Sequence, residues 1–165
     1  VGYSDNDWGC DLDERKSTTG FAFFMGNTVF TWSSKKQTIV TLLTCEAEYV
    51  AAYSAVCHAI WLWNMLKQLG FPQEKPTEIY VDNCSAIALA KNPVYHDRSK
   101  HVDTRYHFIR EHVKNKEVEL FPCKSQDQLA NIFTKPLKND LFNRMKLMLG
   151  MKQHGESRLR GDVVM

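Results

Sequence analysis

The sequence has no closely spaced cysteine pair and no long apolar run. Its five cysteines are scattered along 165 residues, and none belongs to a Cys-x-x-Cys motif. An odd, dispersed set of cysteines argues against a disulfide framework and a structural zinc site, and it favours a reducing compartment. The apolar stretches end well before the roughly 18 residues that span a bilayer, and no cleavable leader is visible. The sequence therefore predicts neither a membrane anchor nor secretion.

A strong bias of charge is also missing. The formal net charge is only +2, so binding to nucleic acid would require a local basic surface. The composition is 44% hydrophobic and 24% charged, which is typical of one globular domain with a sizeable core. We expect this domain to cover residues 1–150 and a flexible polar tail to follow at 151–165. Because the first residue is Val1, within a predicted strand, we interpret the chain as a piece of a longer polypeptide.

Hydrophobic periodicity and turn residues predict an α/β fold. A hairpin meander is followed by strands that alternate with helices, which is typical of a mixed, five-stranded sheet flanked by helices. The predicted strands are Val1–Ser4, Gly20–Met25, Thr28–Ser33, Thr77–Val81 and Glu117–Phe121. The predicted helices are Leu42–Leu69, Asn83–Ala90, Lys100–Lys114, Ser125–Phe133 and Asp140–Leu149. Ser125 and Gln128 have the spacing of a capping box at the start of the fourth helix.

Acidic residues stand where several of these elements begin or end. Asp5 ends the first predicted strand, Asp82 ends the fourth, and Asp127 lies in the first turn of a helix. Glu46 and Glu48 lie near the start of the long helix. Any one of these acids taken alone is most simply a helix cap or a solvated surface charge. Their joint placement points to a shared site.

Only one of the two glutamates can face the sheet, because positions two apart on a helix point roughly 200° from each other. Glu48 aligns with an apolar stripe at three- and four-residue steps, whereas Glu46 lies across the helix. The stripe consists of Ala52, Ala55, Ala59, Leu62, Leu66 and Leu69. We therefore predict that Glu48 is the inward carboxylate.

Four clustered carboxylates would need cations to offset their repulsion, which is roughly 4 kcal/mol per pair at about 4 Å near a protein surface. An oxygen-only ligand set suits Mg²⁺ or Mn²⁺ rather than zinc. Two such ions can activate a water and stabilise the attacking and leaving oxygens of a phosphodiester. This chemistry is that of a nuclease.

Several runs of sequence, in order, make the chain similar to one protein family. They are VGYSDNDW (1–8), DERKSTTGF (13–21), WSSKKQ (32–37), TCEAEY (44–49), VDNCSA (81–86), HVDTRYH (101–107) and DQLANIFTKPL (127–137). Together they resemble the ribonuclease H region of the Pol polyproteins of copia-type LTR retrotransposons. The resemblance extends from residue 1 to about residue 150.

The resemblance implies a ribonuclease H fold and metal-dependent cleavage of the RNA strand of an RNA·DNA hybrid during reverse transcription. It places the catalytic, metal-binding roles on Asp5, Glu48, Asp82 and Asp127, which would hold two Mg²⁺ or Mn²⁺ ions. It also implies the reverse transcriptase portion of the same polyprotein as a partner. The location would be cytoplasmic, in virus-like particles, or nuclear. Many ribonucleases H carry a histidine on the loop before the last aspartate, and here that loop, Phe121–Gln126, has none.

Basic residues offer candidate contacts to the substrate's phosphates, which need cations but no base code. The candidates are Lys35, Lys36, Arg98, Lys100 and Arg105. The alternative for the last three is a solvated helix face, and for Lys35 and Lys36 a charge guard on an edge strand. Two other functions stay open: a catalytically decayed nucleic-acid-binding remnant, and an integrase- or resolvase-like nuclease. The hairpin meander and the helix predicted at Ser125–Phe133 weigh against the second of these.

Overall fold

The chain folds around one five-stranded mixed sheet, seen in a computed structural model that describes residues 1–9, 14–91 and 100–151. The strands are β1 (Gly2–Asp7), β2 (Thr18–Met25), β3 (Thr28–Lys36), β4 (Thr77–Val81) and β5 (Val118–Pro122). The helices are α1 (Thr44–Gln68), α2 (Cys84–Lys91), α3 (Lys100–Lys114) and α4 (Asn139–Met148). Two short 3-10 helices, Ser125–Asp127 and Leu129–Phe133, lie between β5 and α4.

The strand order across the sheet is β3-β2-β1-β4-β5. β1, β2 and β3 form an antiparallel meander, whereas β4 runs parallel to both β1 and β5. Gly26, with φ of +60°, forms the tight turn between β2 and β3, where a residue with a side chain would be strained. The predicted α/β fold with a mixed five-stranded sheet is confirmed.

Two apolar cores lie on opposite faces of the sheet. The larger one joins the sheet to α1, α2 and α3, with Tyr49, Ile79 and Ile109 almost fully buried at its centre. The smaller one joins the sheet to the second 3-10 helix and α4, through Leu129, Met145 and others. Within the described part of the chain, no helix is both long and apolar enough to cross a membrane.

The apolar stripe of α1 packs on the sheet along most of its predicted length. Ala52, Ala55 and Ala59 are at most 1% exposed, and Leu62 is also buried. The prediction is wrong at the end of the stripe, because Leu69 follows the helix and is 64% exposed. A helix of 25 residues is about 37 Å long, whereas strands of five to nine residues span roughly 17–30 Å, so the end of α1 extends beyond the sheet.

Two strands, β1 and β3, each continue three residues further than the sequence predicted. β1 extends to Asp7 because its ladder with β2 continues through Asp7 opposite Thr18. β3 extends to Lys36 because Thr18 also pairs with Lys36 on its other side. As a result, Asp5 lies within a strand rather than at its end, and Lys35 and Lys36 lie within β3 rather than after it.

The helix predicted at Ser125–Phe133 is wrong in kind, since two 3-10 helices replace it. They are separated at Gln128, whose backbone is extended with φ of −75° and ψ of 97°. The Gln128 side chain donates hydrogen bonds to the carbonyls of Ser4 (2.9 Å) and Tyr80 (3.2 Å), so it does not form the predicted capping box with Ser125. These long-range hydrogen bonds from Gln128 to two strands outweigh its local preference for a capping box. Most of the predicted tail, from residue 152 onward, lies outside the described residues.

Candidate metal centre

Three of the four predicted acids meet at one edge of the sheet. β1 and β4 are parallel neighbours with Ser4 opposite Val81, so the next residues, Asp5 and Asp82, come to adjacent positions. Glu48 reaches the same place from the second turn of α1. One carboxylate oxygen from each of the three acids lies within 4.8 Å of the others.

The helix presents Glu48 inward, as its register with the alanine stripe predicted. Glu48 is only 2% exposed, whereas Glu46 is half-buried and accepts a hydrogen bond from the backbone N–H of Leu42 (3.2 Å). Asn6 Nδ2 donates to Glu48 Oε2. The other oxygen, Oε1, is buried and has no hydrogen-bond partner. An orphaned buried carboxylate oxygen is costly unless a cation or a proton compensates it.

Burial and mutual repulsion disfavour the charged forms of the carboxylates in the cluster. Burial raises the pKa of Glu48 to about 10, and the charges of Asp82 and Asp5 add to that shift. Burial likewise raises the pKa of Asp5 to about 6, against the opposing effects of Thr134 and Lys135. The oxygen-only donor set and the orphaned Glu48 oxygen fit a hard divalent cation. Asp5, Glu48 and Asp82 are therefore the residues of the described chain that could hold one.

Two residues that the sequence analysis did not single out complete the surroundings of Asp5. Thr134 Oγ1 donates to Asp5 Oδ2, and Lys135 Nζ lies 3.5 Å from the same oxygen. Both residues follow the second 3-10 helix, 129 or more positions along the chain from Asp5. Both belong to the DQLANIFTKPL run, and their membership of that run is a signal in the sequence that could have identified them.

Gly20 allows this segment to approach the sheet. It lies opposite Asp5 in the β1–β2 ladder. A Cβ atom there would lie 2.6 Å from Thr134 Cγ2, 3.0 Å from Phe133 Cβ and 3.1 Å from the carbonyl oxygen of Ala130. The missing side chain therefore makes room for the contact between Thr134 and Asp5. Stacking of Phe133 on Trp32, with ring centroids 6.4 Å apart, adds a second contact between this segment and the sheet.

The fourth predicted acid, Asp127, is not brought into the cluster. It lies in the first 3-10 helix, is half-buried, and pairs with Arg144 of α4 at 3.2 Å. Its neighbour Ser125 contacts the cluster instead, through Oγ, which lies 3.4 Å from Asp82 Oδ2. The nearby Asn131 is buried and donates to the Ser125 carbonyl, and its own Oδ1 has no hydrogen-bond partner.

The carboxylates open into a pocket of about 440 Å³, which is also lined by Trp8, Thr44 and Lys135. A second cleft, of about 220 Å³, brings together three of the predicted phosphate contacts, Lys35, Lys36 and Arg105. Lys36 lies 3.9 Å from Glu14.

Arg105 lies over the ring of Tyr53 in that cleft, and its buried Nη1 has no hydrogen-bond partner. Arg98 lies outside the described residues. Lys100 begins α3, but its side chain is not described.

Comparisons with known proteins give relatives of this chain. No protein-family model matches it. It is 41% identical over 150 residues to the retrovirus-related Pol polyprotein from transposon TNT 1-94 of Nicotiana tabacum, covering 91% of this chain and 11% of that protein. The corresponding polyprotein from transposon RE1 of Arabidopsis thaliana is 38% identical over 149 residues, with 90% and 10% covered. The chain thus spans about a tenth of the length of these curated relatives.

A solved structure gives the fold. The N-terminal RNase H domain of Rv2228c from Mycobacterium tuberculosis, studied as a fusion with maltose-binding protein, superposes with a TM-score of 0.56. The match covers 89% of this chain and 95% of that one at 14% identity, so it bears on the fold alone. The chain is therefore a relative of one segment of the retrovirus-related Pol polyproteins of plant transposons, and it has the ribonuclease H fold.

Proposed function

We propose that the chain is a metal-dependent endonuclease that hydrolyses the RNA strand of an RNA·DNA hybrid during reverse transcription of a retrotransposon. The observation that carries this proposal is the convergence of Asp5, Glu48 and Asp82 within 4.8 Å at one open pocket. The relatives' names and the ribonuclease H fold support the same reaction class. The reverse transcriptase portion of such a polyprotein is the proposed partner.

Asp5, Glu48 and Asp82 would hold two Mg²⁺ or Mn²⁺ ions. The ions would supply an activated water and charge stabilisation at the phosphate. The residues themselves fix the geometry: Thr134 orients Asp5, and Asn6 orients Glu48. In the reaction, the water would lose a proton to solvent as its oxygen bonds to phosphorus. The bridging P–O bond would break, and the departing oxygen would take up a proton from solvent.

Asp127 is the proposed fourth ligand. Its side chain and that of Arg144 are 44% and 55% exposed, and exposed ion pairs of this kind contribute about 0–1 kcal/mol. Asp127 could therefore exchange its partner Arg144 for a metal ion at little cost in free energy. The bound strand would place its phosphates in the cleft of Lys35, Lys36 and Arg105, whose positive charges would attract them.

The test is cleavage of an end-labelled RNA·DNA hybrid in Mg²⁺ by the wild type and two variants. Asp82→Asn removes a charge from the cluster and should lower the rate at least about 100-fold while leaving the far-ultraviolet circular dichroism unchanged. Asp127→Asn should lower it only about tenfold, because Asp127 lies outside the cluster of three carboxylates. Equal rates for the wild type and Asp82→Asn would contradict the proposal, as would equal cleavage of duplex DNA.

The position of Asp127 outside the carboxylate cluster favours one alternative, a decayed polyprotein segment that binds nucleic acid without cleaving it. This alternative predicts that the wild type retains the hybrid in a filter-binding assay. It also predicts no product in either Mg²⁺ or Mn²⁺. Cleavage by the wild type that is lost in Asp82→Asn excludes it.

A further inference from the structure

Lys135 brings a positive charge to the acids that would hold divalent cations. Its Nζ lies 3.5 Å from Asp5 Oδ2, and its side chain is 35% exposed whereas that of Asp5 is 1% exposed. Lys135 also lines the same pocket as Glu48 and Asp82. The lysine therefore reaches a buried acid from the open side of the site.

The contact leaves part of Asp5 available to another cation. Both Thr134 Oγ1 and Lys135 Nζ approach Oδ2, and neither contact involves Oδ1. A neutral donor and a cationic donor thus share one oxygen of the carboxylate. Because Thr134 donates to that oxygen, Asp5 keeps a hydrogen-bond partner when the ammonium group leaves.

The backbone holds Lys135 in place. The N–H groups of Thr134 and Lys135 both donate to the carbonyl of Asn131, at 3.2 and 3.3 Å. Pro136 follows, and a residue that precedes proline has a restricted backbone. The close approach to Gly20 fixes the same segment against the sheet. The lysine is thus presented by a fixed segment, unlike a lysine on a free surface loop.

We propose that Lys135 is a resident counter-cation of the site that changes partner during the reaction cycle. In the metal-free chain it offsets the charge of Asp5. Divalent ions bound to the carboxylates repel the ammonium group, and the phosphate of a bound strand is the anion that enters the same pocket. Lys135 then contacts that phosphate and stabilises its negative charge. This inference rests on the proposed function, since it names a further residue of that site.

The partner exchange predicts effects of opposite sign in two assays of Lys135→Gln. Titration of MnCl₂ into the chain without nucleic acid, followed by calorimetry, should give about three- to tenfold tighter binding, because a repelling charge is removed. Cleavage of the labelled hybrid at saturating Mn²⁺ should show kcat at least about tenfold lower, because the phosphate loses a cationic contact. A residue that only supports the fold would weaken both.

Lys138→Gln is the matched control, because it removes the same charge from an exposed lysine three positions along the chain. It should match the wild type in both assays, and Lys135→Arg should stay within about threefold in both. Unchanged or weaker Mn²⁺ binding by Lys135→Gln, or an unchanged kcat, overturns the inference. Failure of the wild type itself to bind Mn²⁺ or to cleave the hybrid instead overturns the proposed function.

Discussion

Glu48 places a carboxylate beside Asp5 and Asp82 where little water reaches it. Folding raises the pKa of Glu48 from 4.5 to about 10 and that of Asp5 from 3.8 to about 6, with burial as the largest cause of both shifts. At neutral pH the Glu48 carboxyl of the folded, metal-free chain therefore keeps a proton that the unfolded chain has released. The chain's free energy of unfolding must fall as the pH rises from about 4 toward these raised values.

Replacement of Glu48 by glutamine should remove most of this pH dependence. The amide keeps the shape of the side chain and an oxygen for the Asn6 hydrogen bond, but it carries no charge. We expect Glu48→Gln to raise the free energy of unfolding at pH 8 in EDTA by at least about 1 kcal/mol, and to change it little at pH 4. Urea unfolding at the two pH values measures both.

Glu46→Gln is the control for that experiment, since Glu46 lies on the same turn of α1 but outside the cluster. The amide oxygen of the glutamine is a weaker acceptor for the Leu42 N–H than the carboxylate is, so we expect a small decrease in the free energy of unfolding at both pH values. If the free energy of unfolding changes with pH in the same way in the wild type and in Glu48→Gln between pH 4 and pH 8, the Glu48 carboxyl does not have the raised pKa described above.

At the scale of elements, the segment from the first 3-10 helix to Lys135 assembles one side of the site. Gln128 fixes its start by bridging β1 and β4, and the absence of a side chain at Gly20 lets its end touch Asp5. A Gly20→Ala methyl would meet Thr134 Cγ2 at 2.6 Å and force the segment outward. We expect a loss of about 1–3 kcal/mol in stability and a clear fall in hybrid cleavage.

A second substitution separates this displacement from a general loss of packing. Thr134→Ser deletes the methyl group in the clash but keeps the hydroxyl that donates to Asp5, so it should partly restore cleavage to Gly20→Ala. Gly26→Ala, at a turn with φ of +60° and no atom within 4 Å, should cost stability without affecting cleavage. Failure of Thr134→Ser to restore any activity would refute the proposed role of Gly20.

The contacts of this segment could not be predicted from the sequence, whereas the placement of the three clustered acids could. Asp5 lies on β1 and Asp82 directly follows its parallel neighbour β4, and the inward orientation of Glu48 follows from helical periodicity, so local patterns sufficed for those three. Thr134 touches Asp5 across 129 positions of sequence, and no local pattern encodes such a contact. The capping box at Ser125 was wrong because Gln128 binds strand carbonyls that its neighbours in sequence do not reveal.

At the scale of the whole molecule, the distribution of charge matters more than its sum. The net charge of +2 gives little general attraction for nucleic acid, yet Lys35, Lys36 and Arg105 line one cleft. Each phosphate contact contributes about 0.7–0.9 to the slope of log affinity against log salt concentration. Binding of the hybrid should therefore depend on where cations are removed rather than on how many.

Two triple variants with the same net charge test this dependence. Lys35→Gln/Lys36→Gln/Arg105→Gln should lower the salt slope by about 2 and weaken hybrid binding at 50 mM KCl at least about tenfold. The control, Lys67→Gln/Lys75→Gln/Lys114→Gln, removes three exposed lysines elsewhere and should change the slope by less than about 0.5. Both are made in the Asp82→Asn background, so that fluorescence anisotropy reports binding without cleavage. Equal slopes for the two triple variants would mean that net charge governs binding and that the cleft is not the phosphate site.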